Sequence, residues 1–297
     1  MTAQGFGRER VLQVLHEACA RTGISPAGAT ELAFGENAVF ALDRAPVVVR
    51  IGRDPSLLDR ARREIAVAHW LAGQGVPAVR TAADAPEALD VSGHPVTFWE
   101  RLPAPVRPAG ATDLALLLRR VHALPEPPFG LPPRDLLAGV ERWLRAAEGH
   151  IDPADADFLL RRRSRFAALT AALTPRLAPG PIHGDALPRN VHVGPAGPIL
   201  VDLETFSTDL REHDLVVMAL SRDRYGLPGR EYADFTRTYG WDVMEWEGGA
   251  ALRGARETAS AAWVAQHVPG NPRALAEFRR RVRSLRDEDP TVRWRAF

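Results

Sequence analysis

The stretch Ile182-His183-Gly184-Asp185-Ala186-Leu187-Pro188-Arg189-Asn190-Val191, followed by Ile199-Leu200-Val201-Asp202-Leu203-Glu204, decides how the rest of the chain reads. The first part is a tight, Gly- and Pro-containing loop that carries an Asp and an Asn five positions apart. The second is an apolar run ending in an acidic pair. Phosphoryl transfer requires such a set: one carboxylate orients the attacking hydroxyl and accepts its proton, while an amide and a second carboxylate hold Mg²⁺ against nucleotide phosphates. Mg²⁺ is a hard cation that takes only one or two carboxylates from a protein, so Asn190 with Asp202 is a sufficient donor set.

The pattern His-Gly-Asp-x4-Asn, then eleven further residues ending in a hydrophobic one, then Asp-x-Glu, resembles the aminoglycoside phosphotransferase family. That family is the small-molecule branch of the protein-kinase-like fold. The protein-kinase form of the motif is His-Arg-Asp-x4-Asn followed by Asp-Phe-Gly. Here Gly184 replaces the Arg and Glu204 stands where the last Gly would be, both usual in antibiotic and choline kinase relatives. Two motifs in the right order and at the right distance make the resemblance specific over 183–204.

The resemblance implies an α+β, two-lobed, protein-kinase-like fold. A small antiparallel β-sheet lobe with one key helix, residues 1–102, would bind nucleotide. A larger, mostly helical lobe, residues 103–297, would carry catalysis and the acceptor. It further implies Asp185 as the catalytic carboxylate and Asn190 and Asp202 as metal ligands. Glu204 would be a further ligand or would orient one. His183 would support the loop, and Asp214 would open a core helix and hydrogen-bond back to it. The cofactors implied are Mg²⁺ and ATP or GTP as phosphoryl donor.

Upstream, periodicity supplies the rest of that nucleotide half. Residues 8–22 show helical spacing, closed by Gly23. From 34 to 51 two β-rich runs flank the turn Asp43-Arg44-Ala45-Pro46, which reads as a hairpin. The turn from Gly35 through Asn37 is placed to cover phosphates with backbone N–H groups. Arg50 stands where the family has a phosphate-binding Lys. A guanidinium can grip two phosphate oxygens at once. The helical stripe over 55–72 carries Glu64, which stands where the family's helix supplies the carboxylate that pairs with the basic residue of that strand, so the resemblance implies an Arg50–Glu64 ion pair. Further strands are expected over 78–82, 88–91 and 96–102. A purine would meet main-chain groups from Glu100 to Leu102. The Pro-rich run 103–108 is a stiff linker and the lobe boundary.

Downstream, a helix over 114–124 is expected with Asp113 as its cap, ending in a buried structural His122. Helices are also expected over 135–148 and 153–173. The runs Arg161-Arg162-Arg163 and Arg279-Arg280-Arg281 read as solvated helix faces. Toward the C-terminus, Asp209, Trp241, Glu245, Trp246, Glu257 and Trp263 are candidates for the acceptor pocket. Carboxylates there would meet cationic groups and aromatic faces would cover rings.

Composition excludes several classes of function. Basic and acidic residues number 38 and 37, so bulk nucleic acid is not an expected partner. The single Cys19 cannot form an internal disulfide. The N-terminus has no signal-like apolar core and no run of about 18 apolar residues occurs, so a cytoplasmic protein without a membrane partner is expected. The resemblance implies a small hydroxylated molecule as its partner, and a monomer or weak dimer is expected. No Lys occurs and only three Asn do, two of them within the nucleotide motifs. Three functions fit these residues: an antibiotic O-phosphotransferase, a metabolic or biosynthetic kinase acting on an amino alcohol, sugar or natural-product intermediate, and a nucleotide-binding protein without transfer.

Overall fold

The computed structural model describes residues 6–35 and 37–296. In chain order the elements are α1 (Arg8–Thr22), β1 (Thr30–Phe34), β2 (Asn37–Leu42), β3 (Val47–Gly52), α2 (Leu58–Gly73), β4 (Leu89–Val91), β5 (His94–Glu100), α3 (Ala111–His122), α4 (Val140–Ala146) and α5 (Pro153–Ala171). They continue as β6 (Gly180–Ile182), β7 (Val191–Gly194), β8 (Gly197–Leu200), β9 (Ser207–Asp209), α6 (Glu212–Tyr225), α7 (Gly229–Tyr239), α8 (Gly249–Ala265) and α9 (Pro272–Arg286).

Contacts divide the chain into two compact units. The first comprises residues 1–109, 127–129 and 189–206, and the second comprises 110–126, 130–188 and 207–297. The hairpin β7–β8 thus clusters with the N-terminal sheet although it lies far downstream in sequence. Two hydrogen bonds tie it there, Val79 N–H to the Leu200 carbonyl (2.8 Å) and Leu200 N–H to the Pro77 carbonyl (3.0 Å).

The first unit is built on a five-stranded antiparallel sheet in the order β1-β2-β3-β5-β4. Alternation puts Phe40, Val49, Ile51 and Phe98 on a covered face, where α1 seals them with Val11, Val14, Leu15 and Ala18. Each such side chain removed from water contributes roughly 1.5–3 kcal/mol before entropy is counted. Gly23 closes α1 in the left-handed region, at φ 73°, as the sequence predicts. Cys19 lies in this core, and burial pushes its thiol up to about 11.

The second unit is helical. Its largest core joins α4, α5, α8 and α9 through residues such as Leu144, Leu159, Phe166, Ala262 and Phe278. Gly254 on α8 is needed for this packing. An added Cβ would stand 2.1 Å from the Phe166 ring on α5. No helix among the described residues is long and apolar enough to cross a membrane.

Local departures from the sequence reading have identifiable causes. Asp113 is not the N-cap of its helix. The helix begins at Ala111, and the Asp113 carboxylate reaches back to accept from the Gly110 N–H at 2.9 Å. The helix expected over 135–148 is reduced to α4, because the Asp135 side chain accepts the Leu137 N–H at 3.0 Å and holds a turn instead. Residues 78–82 make only isolated bridges, to Leu200 and Trp99.

Two arginine runs are also less solvated than their charge suggests. Arg162 points inward toward Glu257, 3.8 Å away. Arg281 is 2% exposed, with its Nε donating to Glu277 Oε1 at 2.8 Å and its guanidinium between the Tyr225 and Trp294 rings. Burial is tolerable because the charge is paired and every side of the plane has a partner.

Candidate functional site

In the first unit the sheet and α2 bring together residues scattered over the sequence. Arg50 sits in β3 opposite Val39 of β2 and Thr97 of β5. Its guanidinium pairs with Glu64 of α2, as the family resemblance implies, and lies 5.6 Å from the Trp99 ring. Glu64 is only 3% exposed, so the two charges hold each other in place. Burial pushes the Arg50 guanidinium down from its ordinary value, opposed by the charges of Glu204 and Asp202. Asn37, Arg60, Glu204 and this pair line one hollow. Arg60 Nη1 lies 3.7 Å from Glu204 Oε1.

The residues proposed for a metal lie in the same unit. The Val201 N–H donates to the Asn190 carbonyl at 3.0 Å, which sets the two motif segments side by side just before Asp202. Asp202 itself has φ 59° and ψ 61°, left-handed backbone that only Gly, Asn and Asp visit at modest cost. A non-Gly residue held there is a conformation that function, not local propensity, would select. Among the described residues no three His, Cys, Asp or Glu side chains gather as a metal cluster. An amide oxygen with one or two carboxylates is nonetheless the donor set that Mg²⁺ prefers, since it keeps several of its waters. The residues fit such a cation.

The turn after β1 is tied at its base. The Gly35 N–H donates to the Asn37 carbonyl at 3.0 Å, and the Gly35 carbonyl accepts from Arg53 Nη2 at 2.9 Å. Glu36, the residue between them, lies outside the described residues. At the end of β5 the Glu100 N–H donates to the Arg80 carbonyl and the Arg101 N–H to the Pro46 carbonyl, at 2.8 and 2.7 Å. Those two donors are therefore engaged within the protein.

In the second unit, one buried carboxylate organises the loop that carries Asp185. Asp214 of α6 accepts the N–H groups of His183 and Gly184 at 2.7 and 2.9 Å, and lies 3.2 Å from His122 Nε2. On its other side His122 Nδ1 is 2.9 Å from the Tyr239 hydroxyl. Asp214, when ionised, can only accept, so Nε2 of His122 carries a proton toward it. Burial opposes ionisation of Asp214, yet the hydrogen bond and charge of His122 and the loop N–H groups hold its carboxyl below the usual range. Gly184 takes φ +83°, which turns the chain so that Asp185 emerges partly exposed while His183 stays fully buried.

The neighbour of Asp185 is a residue that sequence reasoning missed. Arg256 of α8 donates from Nη2 to Asp185 Oδ1 at 3.2 Å, and from Nη1 to the Gly184 carbonyl at 3.4 Å. No signal in the sequence singled it out. In a Lys-free chain with 38 arginines, one more Arg on a helix carries no information.

Of the acceptor candidates, Asp209 lines a cavity of about 370 Å³ within the second unit, together with Arg134, His213 and apolar residues of α5. Glu257 is instead structural. It is buried and accepts from Arg224 Nε at 2.7 Å. Trp263 packs edge-on against His267, Trp241 lies under the Arg176 guanidinium, Trp246 packs over Gly248 and Glu245 is exposed. The structure does not gather these residues at one place.

Asp209 and His213 face each other at 3.2 Å. Burial pushes the Asp209 carboxyl up to about 6. Burial and then the Arg256 charge push His213 down to about 4. The folded chain thus holds a proton on Asp209 more tightly than the unfolded chain, so this group favours folding as pH falls from about 6 toward 4. His213 acts with the opposite sign over about 6.5 to 4, where the unfolded imidazole protonates first. Asp209→Asn removes the first contribution and leaves the second. The variant is expected to equal or exceed the native chain in urea midpoint at pH 8, then to lose stability more steeply on acidification to pH 4.5. Parallel midpoints across that range would contradict the assignment.

Comparisons with known proteins give the family and the fold. The profile of the phosphotransferase enzyme family matches residues 32–253. No curated protein matches the chain. Among solved structures, the amicoumacin kinase hAmiN, in complex with AMP-PNP, Ca²⁺ and Ami, superposes with a TM-score of 0.68 at 14% identity, covering 97% of this chain and 98% of that one. The GDP and kanamycin complex of APH(2")-IIia gives 0.66 at 14%, over 95% and 100%. The choline kinase LicA from Streptococcus pneumoniae gives 0.66 at 14%, over 94% and 99%. The fold is the protein-kinase-like one shared by these kinases. With three-quarters of its length matched in one continuous span, the chain belongs to the phosphotransferase enzyme family and is a small-molecule phosphotransferase with an alcohol group as acceptor.

Proposed function

We propose that this enzyme moves the γ-phosphate of ATP or GTP, with Mg²⁺, to a hydroxyl of an antibiotic. The observation that carries the catalytic part of the reading is the loop held by Asp214. A buried carboxylate fixes two consecutive backbone N–H groups, and the next residue, Asp185, is left partly exposed. A base must be fixed in direction yet reachable by substrate.

The reaction balances as a single displacement. The acceptor hydroxyl gives its proton to Asp185, its oxygen forms a bond to the γ-phosphorus, and the bond to the β,γ-bridging oxygen breaks to release the nucleoside diphosphate. Arg50, oriented by Glu64, binds phosphate oxygens, and Asn37 with Gly35 lies on the turn beside them. Asn190 and Asp202, with Glu204, hold the cation. When bound, that cation neutralises charge on the β- and γ-phosphates. Most of the acceleration then comes from positioning and charge compensation. His183 and Asp214 support the loop without touching substrate.

Two kinds of acceptor are supported by relatives. Amicoumacin kinase and the kanamycin complex favour an antibiotic. The choline kinase LicA favours the second reading, an amino alcohol or related metabolite. The test is cation-dependent release of ADP or GDP across hydroxylated antibiotics and amino alcohols. The inhibitory concentration of each antibiotic is measured alongside, in a host expressing the chain. Release stimulated by one drug class, with raised resistance, supports the first acceptor, and release with amino alcohols alone supports the second. Nucleotide binding without transfer to any acceptor would reduce the protein to a binding module. Asp202→Ala in the same assay is expected to raise the Mg-nucleotide KM by about tenfold or more, the loss of one charged ligand interaction. An unchanged KM would remove Asp202 from the metal site.

A further inference from the structure

Helix α8 is anchored on several sides, and these anchors surround one side chain. Arg253 Nη1 pairs with Asp223 Oδ2 of α6 at 2.7 Å. Glu257, the residue after Arg256, is clamped between Arg224 of α6 at 2.7 Å and Arg162 of α5 at 3.8 Å. Gly254 brings the α8 backbone directly against the Phe166 ring. These contacts fix both the depth and the rotation of the helix about its axis. Arg256 projects from that fixed turn to the catalytic loop, where one guanidinium holds both the Gly184 carbonyl and Asp185 Oδ1.

We propose that Arg256 is a positioning residue for the transfer reaction. It holds the plane of the Asp185 carboxylate, and hence the direction of its other oxygen, while pinning the loop by the preceding carbonyl. The inference rests on the reading of Asp185 as the base. A guanidinium is suited to the task because its donors lie in one rigid plane, so two bonds to adjacent groups fix an orientation that a single ammonium contact cannot. Backbone bonds from Asp214 fix where the loop sits. They leave the Asp185 side-chain torsions undetermined, and in this structure the contact with Arg256 restricts them. Near-attack geometry is sensitive at this level, since misplacement by about 1 Å can cost on the order of 100-fold.

Three variants of the full chain separate positioning from mere structure. Arg256→Gln is expected to lower kcat by about 10- to 100-fold while the KM values for acceptor and nucleotide stay within about twofold. Arg256→Lys keeps a buried cation but has one donor centre, and is expected to recover stability fully and kcat only in part. Arg253→Gln removes a neighbouring α8 anchor without touching the loop, and should lose thermal stability while keeping kcat. Arg256→Gln with kcat near that of the native chain overturns the proposal. So does a kcat loss that Arg253→Gln reproduces at equal loss of stability. If Arg256→Gln does not fold, Arg256→Lys decides, because full recovery of kcat would also overturn it. Absence of any transfer by the native chain is a different failure, that of the reading of the site itself.

Discussion

Turnover of the Asp185→Ala variant is expected to fall by about 10²- to 10⁴-fold, the range that a positioned general base contributes. Nucleotide affinity is expected to stay near that of the native chain. The phosphate-binding candidates Arg50, Glu64, Asn190 and Asp202 belong to the first compact unit, whereas Asp185 belongs to the second. The alanine variant also strips Arg256 of its carboxylate partner, leaving a buried guanidinium with fewer acceptors. Asp185→Asn is therefore the cleaner companion, because its amide oxygen still accepts from Arg256 while its proton affinity is lost. Both variants should bind nucleotide and fail in transfer. Single-turnover transfer in either within about tenfold of the native rate would remove Asp185 from the base role.

The second large effect is on stability. Asp214→Ala is expected to cost about 3–5 kcal/mol, because it leaves two loop N–H groups and the His122 imidazole without their buried acceptor. The loop should loosen with the fold, so transfer falls although Asp214 does not touch substrate. The pH dependence has a defined sign. The folded carboxyl is held below its unfolded value, so its contribution is fully present above about pH 4 and fades as pH falls through the folded value. Urea midpoints of native and variant chains should differ most at neutral pH and converge in strong acid. A constant difference down to pH 2 would show that the Asp214 carboxyl is not held below its unfolded value. Asp214→Asn separates charge from shape, since one amide oxygen can still accept from the loop.

Local order was legible where side-chain chemistry and spacing act along the chain. The helix over 8–22 and its Gly23 stop follow from apolar periodicity and from the freedom of Gly at positive φ. The Arg50–Glu64 pair was legible because the two residues stand where the family pattern places its phosphate-binding cation and the helix carboxylate that pairs with it. The His-Gly-Asp-x4-Asn and Asp-x-Glu motifs carried the family, because two fixed spacings of chemically scarce residues rarely coincide by chance.

Other features were invisible to that reading, for one physical reason. Burial and long-range pairing are properties of packing, and a side chain's type does not encode them. Arg162 and Arg281 read as solvated charge, yet packing surrounds them with Glu257, Glu277 and aromatic rings. Glu257 and the tryptophans near it read as an acceptor pocket, yet most of them serve helix packing. Arg256 was one arginine among 38, and only the docking of α8 gave it Asp185 as a partner.

By itself, then, the sequence determined the fold family, the order of the local elements and the chemistry of phosphoryl transfer, since each depends on residue type at short spacing. Only the tertiary structure decided which charges are buried and which helix reaches the Asp185 loop. It also decided that Asp209 and His213, 3.2 Å apart, line the cavity of the second unit together. Those outcomes depend on desolvation and on contacts between residues tens of positions apart, which exist only once the chain has packed.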